Sequence, residues 1–287
     1  MGLRDLLVYV DNSSRWRRQL ALATDLATRH GCRLTAAYTP HLSERQLAER
    51  RTAEIGLVSG SDVGRLDQRA AATMAATADA VRGELEAFGR TSGLPVRWCL
   101  LEAPASVSLP QEARYADLCI LEHSQAAEAD PTSYTLAEKL LFTTGRPILS
   151  IPPNPPASTL GQHVAVAWNS SRASARSLHD ALLVIQAAAQ VTVITVNPAS
   201  FSNRPGAAPI ERLLDHLELH GVRPELVAVT GVPGGAIAET LQDKAREVGA
   251  DMLVAGAFGQ PRLWERLMGG TTRDLLDRMT LPVQMSS

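Results

Sequence analysis

The sequence predicts an α/β protein built twice over, each half a mostly parallel sheet with helices on both faces. Three observations carry this. Short apolar runs that read as buried strands alternate with Ala/Leu-rich helical patterns along the whole chain. Residues 1–151 and 163–285 repeat the same succession of elements. Between them lies Pro152-Pro153-Asn154-Pro155-Pro156-Ala157-Ser158-Thr159, whose four prolines cannot continue a strand and favour an extended spacer. A length of 287 residues suits two domains of roughly 140, which the linker bounds at 1–152 and 160–287.

Each half opens with a short strand, Leu6–Val10 and Val164–Trp168, and each strand ends in a polar turn, Asp11-Asn12-Ser13-Ser14-Arg15 and Asn169-Ser170-Ser171-Arg172. A helix follows, Gln19–Arg29 and Ala173–Ala189, and then a second strand, Arg33–Tyr38 and Val191–Val196. Both halves later show Ala-Asp before an apolar run: Ala116-Asp117 before Leu118–Leu121, and Ala250-Asp251 before Met252–Ala255. Both close on a short strand led in by proline, after Pro147 and after Pro282. In the second half the pattern predicts strands at about 163–168, 191–196, 226–230, 251–256 and 282–285, and helices near 172–188, 208–220, 234–248 and 271–279. The first half carries about two dozen extra residues after its second strand, His41 to Val63. They are charge-rich and read as a solvated surface excursion.

The richest motif is Gly256-Ala257-Phe258-Gly259, followed by Gly269-Gly270-Thr271-Thr272. It lies between the strand Met252–Ala255 and a helix beginning near Arg273. Glycines at a strand-to-helix turn let backbone N–H groups approach a ligand, and a helix start presents unpaired donors and partial positive charge. That combination suits a phosphate; glycines that only turn the chain account for the same residues. No lysine stands near, and Arg262, Arg266 and Arg273 are the nearest cations.

Composition narrows the classes. A net charge of −2 gives no basic field for nucleic acid, and Arg15-Trp16-Arg17-Arg18 reads as the first turn of a helix. No apolar run reaches the ~18 residues of a membrane span, and the N-terminus enters its first strand at once, which predicts a cytoplasmic protein. Cys32, Cys99 and Cys119 are too widely spaced for a metal motif and read as buried free thiols. His216 and His220 share a helical face at a metal-like spacing, with no third ligand evident, and an exposed polar face explains them equally. No nucleophile elbow, lysine-bearing phosphate loop or acid–base pair is visible, so no catalytic residue is assigned.

On these residues the second half resembles the universal stress protein family. The shared pattern is Gly-x2-Gly-x9-Gly after the fourth strand, a polar turn after the first, and a short proline-led fifth strand. The duplication resembles the family's tandem members. The resemblance implies two open, twisted five-stranded parallel sheets of order 3-2-1-4-5, and a ligand crevice where the order reverses. It implies ATP or a related adenine nucleotide, with Mg²⁺, at Trp168, Asn169, Ser170, Val196, Ala255, Gly256, Gly259, Gly269, Gly270, Thr271 and Thr272. It also implies that the halves pair as a pseudo-dimer through their edge-lying fifth strands, and that the chain forms a homodimer.

Departures from the family pattern keep other readings open. Asn169 stands where nucleotide-binding members have aspartate, and Gly270 where a hydroxyl is expected. Trp168 can stack on a base or serve as core. In the first half Asp11 is kept, but Glu122-His123-Ser124-Gln125 replaces the glycines and, with Glu128, repels phosphate. The first half is therefore expected to be structural or regulatory. The functional expectation is a stress-response protein binding ATP in its second half, with slow hydrolysis as the most it does. A nucleotide-free interaction scaffold and an adenylyl transferase are the alternatives, the last opposed by the missing acid–base pair.

Overall fold

A computed structural model describes residues 2–11, 16–40, 60–123, 135–155, 159–202, 208–258 and 270–287. Outside it fall most of the 41–63 excursion, Ser124, Gln125 and Glu128, the linker residues Pro156–Ser158, and Gly259, Arg262, Arg266 and Gly269.

The N-terminal half runs β1 (Asp5–Val10), α1 (Trp16–His30), β2 (Arg33–Tyr38), α2 (Gly60–Ser92), β3 (Val96–Leu100), α3 (Ala105–Ala113), β4 (Leu118–Glu122), α4 (Leu136–Thr143) and β5 (Ile148–Ile151). The C-terminal half runs β6 (His163–Ala167), α5 (Arg172–Ala187), β7 (Gln190–Val196), the single turn α6 (Ala199–Ser202), α7 (Glu211–Leu219), β8 (Glu225–Val229), α8 (Ile237–Glu247), β9 (Met252–Gly256), α9 (Thr271–Asp277) and β10 (Val283–Ser286). All five second-half strands fall within one or two residues of their expected places.

Strand order is β3-β2-β1-β4-β5-β10-β9-β6-β7-β8. Each half therefore has the order 3-2-1-4-5, all parallel within the half. The difference from two separate sheets lies at the centre. β5 and β10 pair antiparallel, Ile148 opposite Met285 and Ser150 opposite Val283, and merge the sheets into one of ten strands. The expected edge strands are the innermost ones, and every residue of both is buried. They meet through a backbone ladder, which satisfies the N–H and C=O groups that an edge leaves open. The outer edges are β3 and β8, whose residues are half-buried or exposed.

Alternation along the strands sends side chains to two cores, one on each face. Leu6, Val8, Val164 and Val166 meet α1, α2, α5 and α7; Leu7, Ala165 and Ile194 meet α3, α4, α8 and α9. The repeated Ala-Asp has a physical reason. Asp117 accepts from the N–H groups of Arg4 (2.7 Å) and Asp5 (3.1 Å). Asp251 accepts from Gly161 (2.9 Å), Gln162 (3.0 Å) and His163 (3.2 Å). In each half this carboxylate holds the start of the first strand against the start of the fourth.

The N-terminal half's extra length is partly helical. α2 has 33 residues against nine in α7. Its buried residues, Ala78, Val81 and Leu85, lie toward its C-terminus, and no described side chain from 65 to 77 is buried. The basic run is used internally: Trp16 is buried, Arg17 stacks on it and pairs with Glu84, and Arg18 donates to Pro153 and Asn154 of the linker. All three cysteines are free, and burial raises each thiol, Cys32 to about 11 and Cys119 to about 12. Among the described residues no helix is long and apolar enough to cross a membrane.

Candidate functional site

The chain leaves β6 toward β7, while β9 lies on the other side of β6. Strand order therefore reverses at β6, and open sheets of this kind take ligands in the crevice outside the C-terminal strand ends at such a point. The first wall is the turn 168–171. Asn169 Oδ1 accepts from the Ser171 N–H (3.1 Å), an Asx turn that carries Ser170 at φ 56°. Ser171 then caps α5, accepting from the Ser174 N–H at 3.1 Å. Asn169 and Ser170 are exposed, whereas Trp168 is half-buried. Trp168 continues the alternation of Val164 and Val166 and so packs on the α5/α7 face.

Gly256 has a packing role that its motif does not announce. A Cβ there would lie 2.5 Å from Ala173 C and Ser174 N, so only glycine lets the first turn of α5 rest on the end of β9. Ser177 fastens the same contact: its hydroxyl donates to Ala255 O (2.8 Å) and accepts from the Ser286 N–H (2.8 Å). Ala255 and Val196 are buried beneath the crevice on the α8/α9 face.

The opposite wall is Gly270-Thr271-Thr272. Gly270 precedes α9 with extended backbone (φ −127°, ψ 177°), no side-chain cap, and open space where a Cβ would stand. Thr272 Oγ1 accepts from the Phe258 N–H at 3.1 Å, which leaves its own O–H available to donate. Phe258 is held at φ 53° and stacks on Phe142 of the N-terminal half, centroids 4.2 Å apart. Gly259 and Gly269 lie outside the described residues.

Arg273, one of the three cations nearest the motif, pairs across the seam. Its Nε donates to Glu138 Oε1 at 3.1 Å, with the two side chains 19% and 3% exposed. Glu138 also closes a capping box with Thr135 at the start of α4. A carboxylate this deeply buried needs a charged partner, and Arg273 crosses the central seam to supply one.

Two features had little signal in the sequence. Asn197, at φ 50° after β7, donates through Nδ2 to Val232 O (2.6 Å) and accepts at Oδ1 from the Val232 N–H (3.0 Å). It locks the strand ends of β7 and β8 together. An Asn-Pro pair ending a strand was its only trace, since asparagine tolerates positive φ. His179, from α5, joins His216 of α7 and His220, which caps that helix; the His179 and His220 ring centroids lie 5.1 Å and 4.7 Å from that of His216. Burial, then His220 and His179, lowers the pKa of His216. Among the described residues no three such groups are arranged to hold a metal ion.

The corresponding crevice of the N-terminal half is acidic. Strand register equates Asp11 with Asn169 and Glu122 with Gly256. Both carboxylates, with Tyr9, Gln19, His123 and Thr135, line a cavity of about 40 Å³. Burial, then Asp11, pushes the Tyr9 hydroxyl up to about 12.

The fold and crevice define a class, the open doubly wound α/β proteins that take ligands at the reversal of strand order. Within it, residues 161–286 match the Universal stress protein family. Solved structures agree on the fold. A universal stress protein from Archaeoglobus fulgidus DSM 4304 superposes at TM-score 0.70 and 14% identity, covering 99% of this chain and 96% of that one. A candidate universal stress protein from Pseudomonas aeruginosa UCBPP-PA14 gives 0.60 at 16%, covering 99% and 93%. A functionally unknown protein from P. aeruginosa PAO1 gives 0.56 at 16%, covering 99% and 92%. No curated protein matches the chain.

Proposed function

We propose that the C-terminal half, residues 160–287, binds ATP or a related adenine nucleotide in a stress-response role, and that the N-terminal half, residues 1–152, is structural or regulatory. One observation carries the reading: strand order reverses at β6, between β7 and β9, and the 168–171 turn, the end of β9 and the start of α9, tied to Phe258 through Thr272, lie at the C-terminal ends of those strands. The residues present fit such a ligand. Among the described residues the Thr272 hydroxyl donates to no group and nothing stands where a Gly270 Cβ would lie, and the exposed Asn169 is neutral. Mg²⁺ would arrive with the phosphates. A bound nucleotide favours whichever arrangement of the halves binds it better, and α9 reaches the N-terminal half through Arg273 and Glu138.

Calorimetric titration with ATP and Mg²⁺ tests the reading. Thr272→Ala is expected to cost about 1–2 kcal/mol of binding, and Gly270→Ser to tighten it. Asp11→Ala is expected to leave it unchanged. No binding to the unaltered protein at millimolar ATP would overturn it. The result would then favour an interaction scaffold, which has its own support: close packing explains Gly256, and the Asx turn explains Asn169, with no ligand required. The halves are proposed to act as a pseudo-dimer within the chain, and the whole chain to form a homodimer. Sedimentation giving only a species near 30.8 kDa would remove the homodimer.

A further inference from the structure

Between α5 and α7, on the face of the sheet away from α9, lies a cavity of about 220 Å³. It borders the 168–171 turn through Trp168 and Ser170, but it does not depend on the nucleotide reading. Its walls are of two kinds. Trp168, Leu178 and Leu213 present apolar and aromatic surface; Arg212, His179 and His216 supply the polar groups. Among the described residues no carboxylate lines it, so its charge is suited to an anion. The Nε2 of His216 is buried and has no hydrogen-bond partner among the described residues. A buried polar atom left unpaired is costly, and a ligand group that reaches it removes that cost.

The cavity walls are braced. Gln186 of α5 donates to His220 O at the end of α7 (2.9 Å), and the His179 and His216 rings meet edge-on across the two helices. The spacing of α5 and α7 is thus set by contacts beside the cavity. Size decides the body of the ligand. An apolar cavity of about 150 Å³ admits benzene, so one of about 220 Å³ holds a single ring with a short substituent. A flat ring suits the Trp168 face, and a carboxylate suits the guanidinium of Arg212 and the imidazole of His216.

We propose that the cavity between α5 and α7 is a binding site for small monocyclic aromatic carboxylates. Benzoate is the probe, and benzyl alcohol is the uncharged control of similar shape. Calorimetry and ligand-observed NMR on the full chain are expected to show saturable benzoate binding at concentrations up to about 1 mM, with benzyl alcohol at least roughly tenfold weaker. Arg212→Gln and His216→Gln are each expected to weaken benzoate about tenfold while leaving the melting temperature and ATP titration unchanged. The unaltered protein gives a test free of folding effects: equal affinity for benzoate and benzyl alcohol, or no saturation by 10 mM (roughly tenfold above the expected range), would overturn the proposal. A protein that binds benzoate but not ATP would sustain this site and sink the nucleotide reading.

Discussion

Asp11 and Glu122 in the N-terminal half occupy the places of Asn169 and Gly256 in the C-terminal half. The backbones around them follow the same strand order, yet one crevice has two carboxylates and the other has none at these positions. The N-terminal crevice is acidic, with Tyr9 held protonated. In the C-terminal half the missing side chain at Gly256 lets α5 settle against β9, and the neutral Asn169 shapes the turn through its own backbone. The same fold thus offers phosphate an unfavourable field in one half and a neutral, donor-bearing wall in the other. Position in the fold locates a crevice, and two residues decide its charge.

The comparison is most severely tested by giving the C-terminal half its counterpart's residue. Gly256→Glu forces a Cβ to within 2.5 Å of the backbone of Ala173 and Ser174. It is expected to cost about 3 kcal/mol of stability, read as a fall in denaturant midpoint. A midpoint close to that of the unaltered protein would show that α5 can retreat, and that close packing is not why glycine stands there.

The seam between the halves gives the next effect. Arg273→Ala leaves Glu138 buried without its cation. The cost is expected to be about 2–3 kcal/mol, below that of a fully buried pair because Arg273 keeps a fifth of its side chain in solvent. Pairing with Glu138→Ala in a double-mutant cycle isolates the coupling; additivity of the two changes would mean that the contact contributes nothing. At the same seam Gln284 is 1% exposed and neither amide atom has a hydrogen-bond partner among the described residues. Gln284→Met is expected to stabilise the chain by about 1–2 kcal/mol, and an unchanged or lower melting temperature would contradict that.

The smallest effect is a pH dependence at the N-terminal crevice. His123 is buried, its Nε2 lies 3.9 Å from Asp277 Oδ1, and burial lowers its pKa below 6.5 despite the opposing pull of Asp277 and Glu138. The unfolded chain therefore takes up this proton first as pH falls. Stability from this residue is complete above about 6.5 and declines as pH drops toward the folded-state value. His30 and His216 are lowered too and contribute in the same direction. Urea unfolding at neutral and mildly acidic pH is expected to show a shallower slope for His123→Leu. An identical slope would assign the whole dependence to the other two.

The elements were legible because their signals are local. Apolar runs, Ala/Leu-rich periodicity and proline or glycine breaks located each second-half strand. The repeated Ala-Asp was visible as a pattern before its carboxylate was seen to bind the first strand's N–H groups. The crevice was legible from two polar turns and the reversal of strand order implied by the family resemblance. Within it, the sequence could name Gly256 but not its task, since a glycine that admits a helix and one that admits a phosphate look the same in one dimension.

The sequence by itself determined the duplication, the parallel strands of each half and the charge contrast between Glu122 and Gly256, all of which follow from residue type, spacing and polarity. Only the tertiary structure decided that β5 and β10 are central, that Arg273 answers Glu138, that Trp168 faces α7, and that His179 joins His216. Each of these joins residues 37 to 137 positions apart. Such pairings depend on where strands close and helices cross, and no local propensity or periodicity carries that information.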